Sequence, residues 1–308
     1  MQDPSEASSS RDHSDQPDHL YGGQAVIEGV MMRGADHWAV AVRRPGGDLH
    51  VESHGIESVM RRTPLLGKPF LRGVIVLGQS LAIGYRALTV SARESSEEHI
   101  EVSKTQMGLS LGLAMVLFVG IFIIGPAAAF GWVQHRVGSG FAVNLLEGIF
   151  RVAIFVGYLW LIGRTKDIHR VFEYHGAEHK TIAAYEHGQP LEPERVDQYS
   201  TVHVRCGTNF LIIVMIITIL VFALFGNPGI WWRIASRVIA IPLVAAVAYE
   251  ALRLGARFPR SAVMRALMAP GLWLQKITTQ APDRQQIQVA IASFQEVLRR
   301  EEAARAET

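Results

Sequence analysis

The chain has 308 residues, 49% of them hydrophobic and 19% charged, with a formal net charge of +2 and one cysteine. Such a balance gives no sign of a nucleic-acid-binding surface, and a single cysteine excludes an intramolecular disulfide or a cysteine-rich zinc site while fitting a reducing cytoplasm. Charges crowd some stretches and are nearly absent from others, which reads as a multi-pass membrane protein with a soluble portion.

Residues 1–19 are polar, rich in Ser, Asp and His, and lack the apolar core of a secretory signal, so they read as a disordered tail in which His13 and His19 are solvated. Residues 20–104 are expected to form a cytoplasmic α+β region. Gly22 to Gly34 is a short apolar run with one acid, Glu28, between glycines, and reads as a strand; Trp38 to Arg44 and Asp48 to His54 alternate on either side of Pro45-Gly-Gly47, the pattern of a β-hairpin. Leu65 to Ala92 is apolar but interrupted by Arg72, Gln79, Arg86 and several glycines. It is expected to be a membrane-associated or buried amphipathic helix; if it crossed the bilayer, the side of the hairpin would invert.

Stretches 108–133 and 143–163, within residues 105–163, and 208–225 and 234–254, within residues 208–254, each approach the ~20 apolar residues of a spanning helix. Four spans follow, the first kinked at Gly125-Pro126 and the fourth at Pro242. Lys104, Arg164, Lys166, Arg170, Arg205, Arg253 and Arg257 flank them on one side against Arg136, Arg233 and Arg237 on the other, so both termini and the 164–207 loop are expected in the cytoplasm. Residues 255–308 should supply an interfacial segment, with Trp273 among basic residues, and then an amphipathic helix after Asp283 that buries Ile287, Ile291, Phe294 and Leu298. The expected fold is thus an α-helical membrane protein of about four transmembrane helices plus a small α+β cytoplasmic portion.

The chemistry concentrates in the 164–207 loop. A helix from about Val171 through Ala184, closed at Gly188, carries Glu173-Tyr-His-Gly-Ala-Glu-His-Lys180. His175 and His179 are one turn apart on one face and can share a divalent metal, with Glu178 beside them as a general base. The same pattern also suits a polar helix face that binds carboxylates, headgroups or water. His203 and Cys206, in ligand spacing just before the third span, are candidate further donors, although Cys206 also fits a small buried residue at the membrane edge. Zinc is the metal this donor set suits best. Glu186 reaches the cluster only if the helix bends or the metal sits between turns. Glu250 either faces the motif helix, as ligand or as a carboxylate orienting a histidine, or pairs with Arg253; Glu147 is expected to pair with Arg151. Glu28 and Arg33, in glycine-rich surroundings, are candidate orienting or substrate contacts.

With Gly23-Gln-Ala-Val-Ile-Glu-Gly-Val-Met-Met-Arg-Gly34, the 173–180 run, His203-Val-Arg-Cys-Gly-Thr-Asn-Phe210 and Pro270-Gly-Leu-Trp-Leu-Gln-Lys-Ile-Thr-Thr279, the chain closely resembles the bacterial YqhQ family of membrane proteins from about Tyr21 to Leu298. The resemblance implies a protein of the bacterial inner membrane, in a family of unknown function commonly labelled metal-dependent enzymes. From residues and location together, the leading expectation is a metal-dependent hydrolase whose site faces the cytoplasm and whose substrate is a lipid, a membrane protein or another membrane-derived molecule. The alternative is a non-enzymatic membrane assembly or interaction factor with a structural metal or none. A transporter is less favoured, because no inverted repeat or polar midplane path is evident.

Overall fold

The structure, a computed structural model, describes residues 21–57, 63–97, 103–126, 128–130, 141–224, 230–258 and 261–306. The polar tail 1–19 lies outside these, as do 134–140 and 226–229 of the two loops expected to face outward. The described chain is mostly helical, with one small sheet near its N-terminal end.

Strands β1 (Gly22–Val26), β2 (Gly29–Arg33), β3 (His37–Arg43) and β4 (Leu49–Gly55) pair antiparallel in chain order. The apolar run expected as one strand is itself a hairpin: Val26 pairs with Gly29, and Glu28 turns the chain with φ of 52°. A glutamate is unusual there, since Gly, Asn and Asp supply most positive-φ turn positions. The β3–β4 hairpin lies where expected, with Gly47 at φ of 90°.

Both faces of β3 are covered, so its alternation sorts residues by size rather than by polarity, whereas β4 buries no residue. Trp38, Val40 and Val42, with Val26 and Met31, pack on Ile83, Ala87 and Val90 of helix α1 (Leu71–Glu94). Ala39 and Ala41, with Val30 and Met32, face α4 (Lys166–Glu186) and α9 (Arg284–Ala306). Alanine lets α9 approach closely enough for Ser293 Oγ to donate to the Ala39 carbonyl at 3.0 Å. Asp283 and Gln286 close a reciprocal cap at the start of α9, each side chain accepting the other's backbone N–H. Ile287, Ile291 and Phe294 are buried along it, as its periodicity predicts, with Leu298 packed beside them.

The other helices form a second apolar body. Helix α2 (Lys104–Val119) begins in a Ser103–Gln106 capping box and widens into a π-helical turn, Gly120–Ile124, just before Pro126, where the sequence predicts a kink. Helices α3 (Phe141–Ile162), α6 (Gly207–Leu224) and α7 (Ile230–Arg257, with Pro242 inside) meet α8 (Ala262–Thr278) around Ile213, Ala248, Met268 and Leu274. The expected interfacial segment is one helix, α8, with Trp273 exposed and Leu274 buried. A short helix, α5 (Pro193–Val196), lies in the loop after α4. Two helices, Leu71–Glu94 and Phe141–Ile162, are long and apolar enough to cross a membrane; Gly108–Phe122 and Gly207–Val221 are shorter apolar stretches.

Phe294 joins the layers, its ring edge-on to Tyr21 at 5.0 Å and to Tyr185 at 4.9 Å. Phe294→Ala should cost about 3–5 kcal/mol through the cavity it leaves. Thermal unfolding in detergent should show a clear fall in the midpoint; an unchanged midpoint would contradict this core.

Candidate metal centre

Helix α4 presents two sides. Tyr174 and Ala177 are buried in the core under the sheet, while His175 and His179 turn toward the loop before α6 and the end of α8. Gly188, at φ of 66°, closes the helix as its sequence predicts. Gly176 permits the approach, since a Cβ there would sit 2.1 Å from the Gln280 carbonyl oxygen, and Gln280 N donates to the Phe172 carbonyl at 2.9 Å.

Each motif histidine is fixed through its Nδ1. That of His175 donates to the Thr278 carbonyl at 2.8 Å, and that of His179 to the Thr201 carbonyl at 2.5 Å. These bonds select the tautomer with Nε2 free to act as an acceptor or ligand. Nε2 of His175 lies 3.1 Å from Cys206 Sγ, and the two rings are 4.4 Å apart. One donor atom each from His175, His179 and Cys206 falls within 4.8 Å of the other two. Donors around a tetrahedral zinc stand about 3.5 Å apart, from bonds of about 2.0–2.3 Å, so small side-chain movements suffice.

Burial favours the neutral forms of the groups here. Burial pushes His179 well below the usual imidazole range, which leaves it in the neutral, ligating form. Burial also raises the Cys206 thiol, against hydrogen bonds from Thr208, whose N–H points at Sγ from 3.4 Å and whose hydroxyl lies 3.2 Å away. Glu178 is buried beside them, and burial pushes its carboxyl up to about 8. Gly23 of β1 lies against it: a Cβ there would stand 2.9 Å from the carboxyl carbon, and the Gly23 backbone hydrogen-bonds to the carboxyl. No Lys or Arg pairs with Glu178 among the described residues.

The remaining candidates divide by location. His203 lies beside the cluster, its ring 5.7 Å from that of His179, but its Nε2 meets Glu186 at 3.2 Å and its Nδ1 faces the Arg205 N–H at 3.4 Å. Burial lowers its pKa to about 4. Glu186 thus reaches His203 and Arg205 and is not among the three grouped donors. Glu250 is elsewhere, clamped by Arg72 of α1 at 2.8 and 2.5 Å instead of facing α4 or pairing with Arg253. Glu28 accepts from Arg170 and from Tyr174 Oη, which ties the β1–β2 turn to α4 and explains how a glutamate is held at positive φ. Arg33 reaches Ser80 and Gln79 on α1. Glu147 pairs with Arg151 as spacing predicts, at 2.6 Å.

Sequence reasoning misses the residues that hold the cluster's walls. Gln275, fully buried, bonds the main chain of His203 in both directions and also Asn209, and Asn209 donates to the Val204 carbonyl. Lys180 Nζ ties α4 to Asp197 at 2.8 Å. The one available signal is an amide standing on the apolar stretch of α8.

Gly176→Ala should force the segment around Gln280 off α4, at about 1–3 kcal/mol for overpacking, and loosen the Thr278 carbonyl from His175. Thermal unfolding and metal titration should both respond; a fully stable variant with unchanged metal affinity would contradict this close contact.

A family model described as "Protein of unknown function (DUF1385)" matches residues 68–300. The uncharacterized protein YqhQ of Bacillus subtilis (strain 168) is 33% identical over 296 residues, covering 91% of this chain and 93% of that protein. No solved structure matches. All four sequence runs that carry the resemblance meet at or beside the histidine cluster, and with these matches they show that the chain belongs to the YqhQ family, the family of unknown function DUF1385.

Proposed function

We propose that this chain is a multi-pass membrane metalloenzyme, a hydrolase whose centre opens to the cytoplasm. The observation that carries the reading is the convergence of His175, His179 and Cys206 on one point, with both Nδ1 atoms already held by carbonyls. Three protein donors of this kind leave a fourth position open, the usual arrangement of catalytic zinc. His175, His179 and Cys206 would hold a divalent metal there, which would supply a lowered water pKa and polarisation of a carbonyl or phosphoryl oxygen. With its carboxyl pushed up to about 8, Glu178 is ionised in a minor fraction below that pH; in that form it would take a water's proton on a carboxylate oxygen and return it to the leaving group. His203, engaged with Glu186, lines the rim instead of completing the donor set. Lipid and membrane-protein substrates are the class the location favours.

The four-span topology belongs to the same proposal. Leu109, Leu113 and Val116 on α2 and Ile149 and Leu161 on α3 expose over half of their surface, an apolar coat that water does not favour. Helix α1 is long enough to span, but from Gln79 onward it lies on the sheet and its Arg33 contact. Only Leu71–Gly78 remains, about 12 Å of helix against a hydrocarbon core of about 30 Å, which supports a membrane-associated helix and not a fifth span. Single cysteines at Asp36, Gln189 and Gln285, in a Cys206→Ser background, should be shielded from an impermeant thiol reagent in intact cells. One at Ser139, outside the described residues, should react. Labelling of Asp36 and Ser139 from the same side would defeat the topology.

Metal and catalysis are tested together. Purified protein should carry a divalent transition metal that a folded His175→Ala/His179→Ala variant lacks; unchanged stoichiometry would remove these histidines as ligands. Glu178→Gln should stay folded and metal-loaded yet lose about 10²- to 10⁴-fold in rate, or fail to complement a deletion strain. Full function in that variant would favour the assembly-factor reading with a structural ion.

A further inference from the structure

Three donors on two segments form a cluster only if something fixes one segment against the other. Cys206 lies on the stretch between α5 and α6, which has no ladder of its own. Its geometry comes from α8. The Gln275 carboxamide reads the main chain of His203 as a neighbouring strand would: Oε1 accepts the His203 N–H at 2.8 Å and Nε2 donates to the His203 carbonyl at 2.8 Å. Nε2 also reaches Asn209 Oδ1 at 3.1 Å, and Asn209 Nδ2 closes back on the Val204 carbonyl at 2.7 Å. Cys206 sits inside this ring of bonds, between Val204 and Asn209. Gly271, one turn before Gln275, makes room, because a Cβ there would lie 2.1 Å from Asn209 Oδ1.

The same end of α8 reaches both histidines. Thr278 gives the carbonyl that orients His175. Thr279 Oγ1 donates to Thr201 Oγ1 at 3.2 Å, and the Thr201 carbonyl orients His179. Gln275, Thr278 and Thr279 thus touch every segment that carries a donor or the acceptor holding one, and none of the three is itself grouped with the donors. Leu274, adjacent to Gln275, is buried in the apolar body of α6 and α7, so the clamp is anchored from that side.

We infer that Gln275 is a positioning residue for metal binding, setting where the Cys206 sulfur stands relative to the two histidines. The inference rests on the metal reading above and goes beyond it by assigning cluster geometry to α8. Partners that orient ligands are typically worth about 10- to 100-fold in metal affinity. A residue needed only for folding would act otherwise, lowering stability and leaving the donor set of the folded fraction intact.

The test uses the full chain in detergent, stripped of metal and titrated with Co2+, whose spectrum separates thiolate-to-cobalt charge transfer in the near ultraviolet from ligand-field bands in the visible. Wild type should show both. Gln275→Met keeps much of the volume and removes all three bonds; it should bind Co2+ about 10- to 100-fold more weakly and lose charge transfer relative to the ligand-field bands. Gln275→Glu keeps the acceptor for the His203 N–H but sets a carboxylate oxygen against the His203 carbonyl and Asn209 Oδ1, and should weaken binding at least as much. Should Gln275→Met fail to fold, Asn209→Ala, which removes the bonds to the Val204 carbonyl and to Gln275 Nε2, decides instead, with weaker Co2+ binding and reduced charge transfer expected. Folded variants with wild-type affinity and an unchanged band ratio overturn the positioning role while leaving the metal reading intact. Absence of bound cobalt in wild type overturns both.

Discussion

The carbonyls of Thr201 and Thr278 each accept an Nδ1–H from α4, and the candidate centre depends on those two bonds. An imidazole can turn and change tautomer, so two histidines one turn apart form a site only when both rings are fixed. Here the fixing atoms belong to the backbone of two segments distant in sequence, so helix α4 must be seated between them before the cluster exists. The contact at Gly176 and the Lys180–Asp197 pair hold it there. On its opposite side, Tyr174 and Ala177 pack in the core under the sheet, and Arg170 with Tyr174 holds Glu28. The small sheet is therefore a platform for the motif helix, and Gly23 on its first strand makes the floor under Glu178.

Two helices in particular join that platform to the apolar ones. Helix α8 is one, packing on α6 and α7 while its C-terminal turn walls the cluster. Helix α1 is the other: its C-terminal half covers the sheet, and its N-terminal end meets α7 where Gly73 lies against Tyr249 and Ala246 and Arg72 clamps Glu250. A charged pair is expected at such a boundary, because a carboxylate near apolar surroundings is costly without a partner. Movement of these helices would reach the donors through α8, which bonds directly to the loop that bears Cys206.

What the sequence discloses is what periodicity and spacing can encode. His175, Glu178 and His179 are legible because helical geometry places them before any tertiary contact forms. His-x-x-Cys spacing brings Cys206 into consideration, yet it cannot show that His203 turns to Glu186, a choice made by surroundings. Glu250 is misread for a similar reason: Arg253 is near in sequence, but Arg72, 178 positions away, has the better geometry. The hairpin at Pro45-Gly-Gly47 carries standard turn residues and is visible, whereas the turn at Glu28 has none and is held by Arg170 from another element. Thr201, Thr278 and Gln275 escape a sequence reading almost entirely, since two act through main-chain carbonyls and the third through a carboxamide whose partners lie 66 and 72 positions away.

The central claim is that the nitrogens of His175 and His179 and the sulfur of Cys206 surround one metal. X-ray absorption at the zinc edge of the purified, zinc-loaded full chain tests it most directly, because scattering distinguishes sulfur from nitrogen and oxygen neighbours. The account predicts one sulfur at about 2.3 Å and nitrogen or oxygen donors at about 2.0–2.1 Å, including the outer-ring scattering of two imidazoles, with the sulfur contribution gone in Cys206→Ser. A shell without sulfur, or without imidazole scattering, would contradict it.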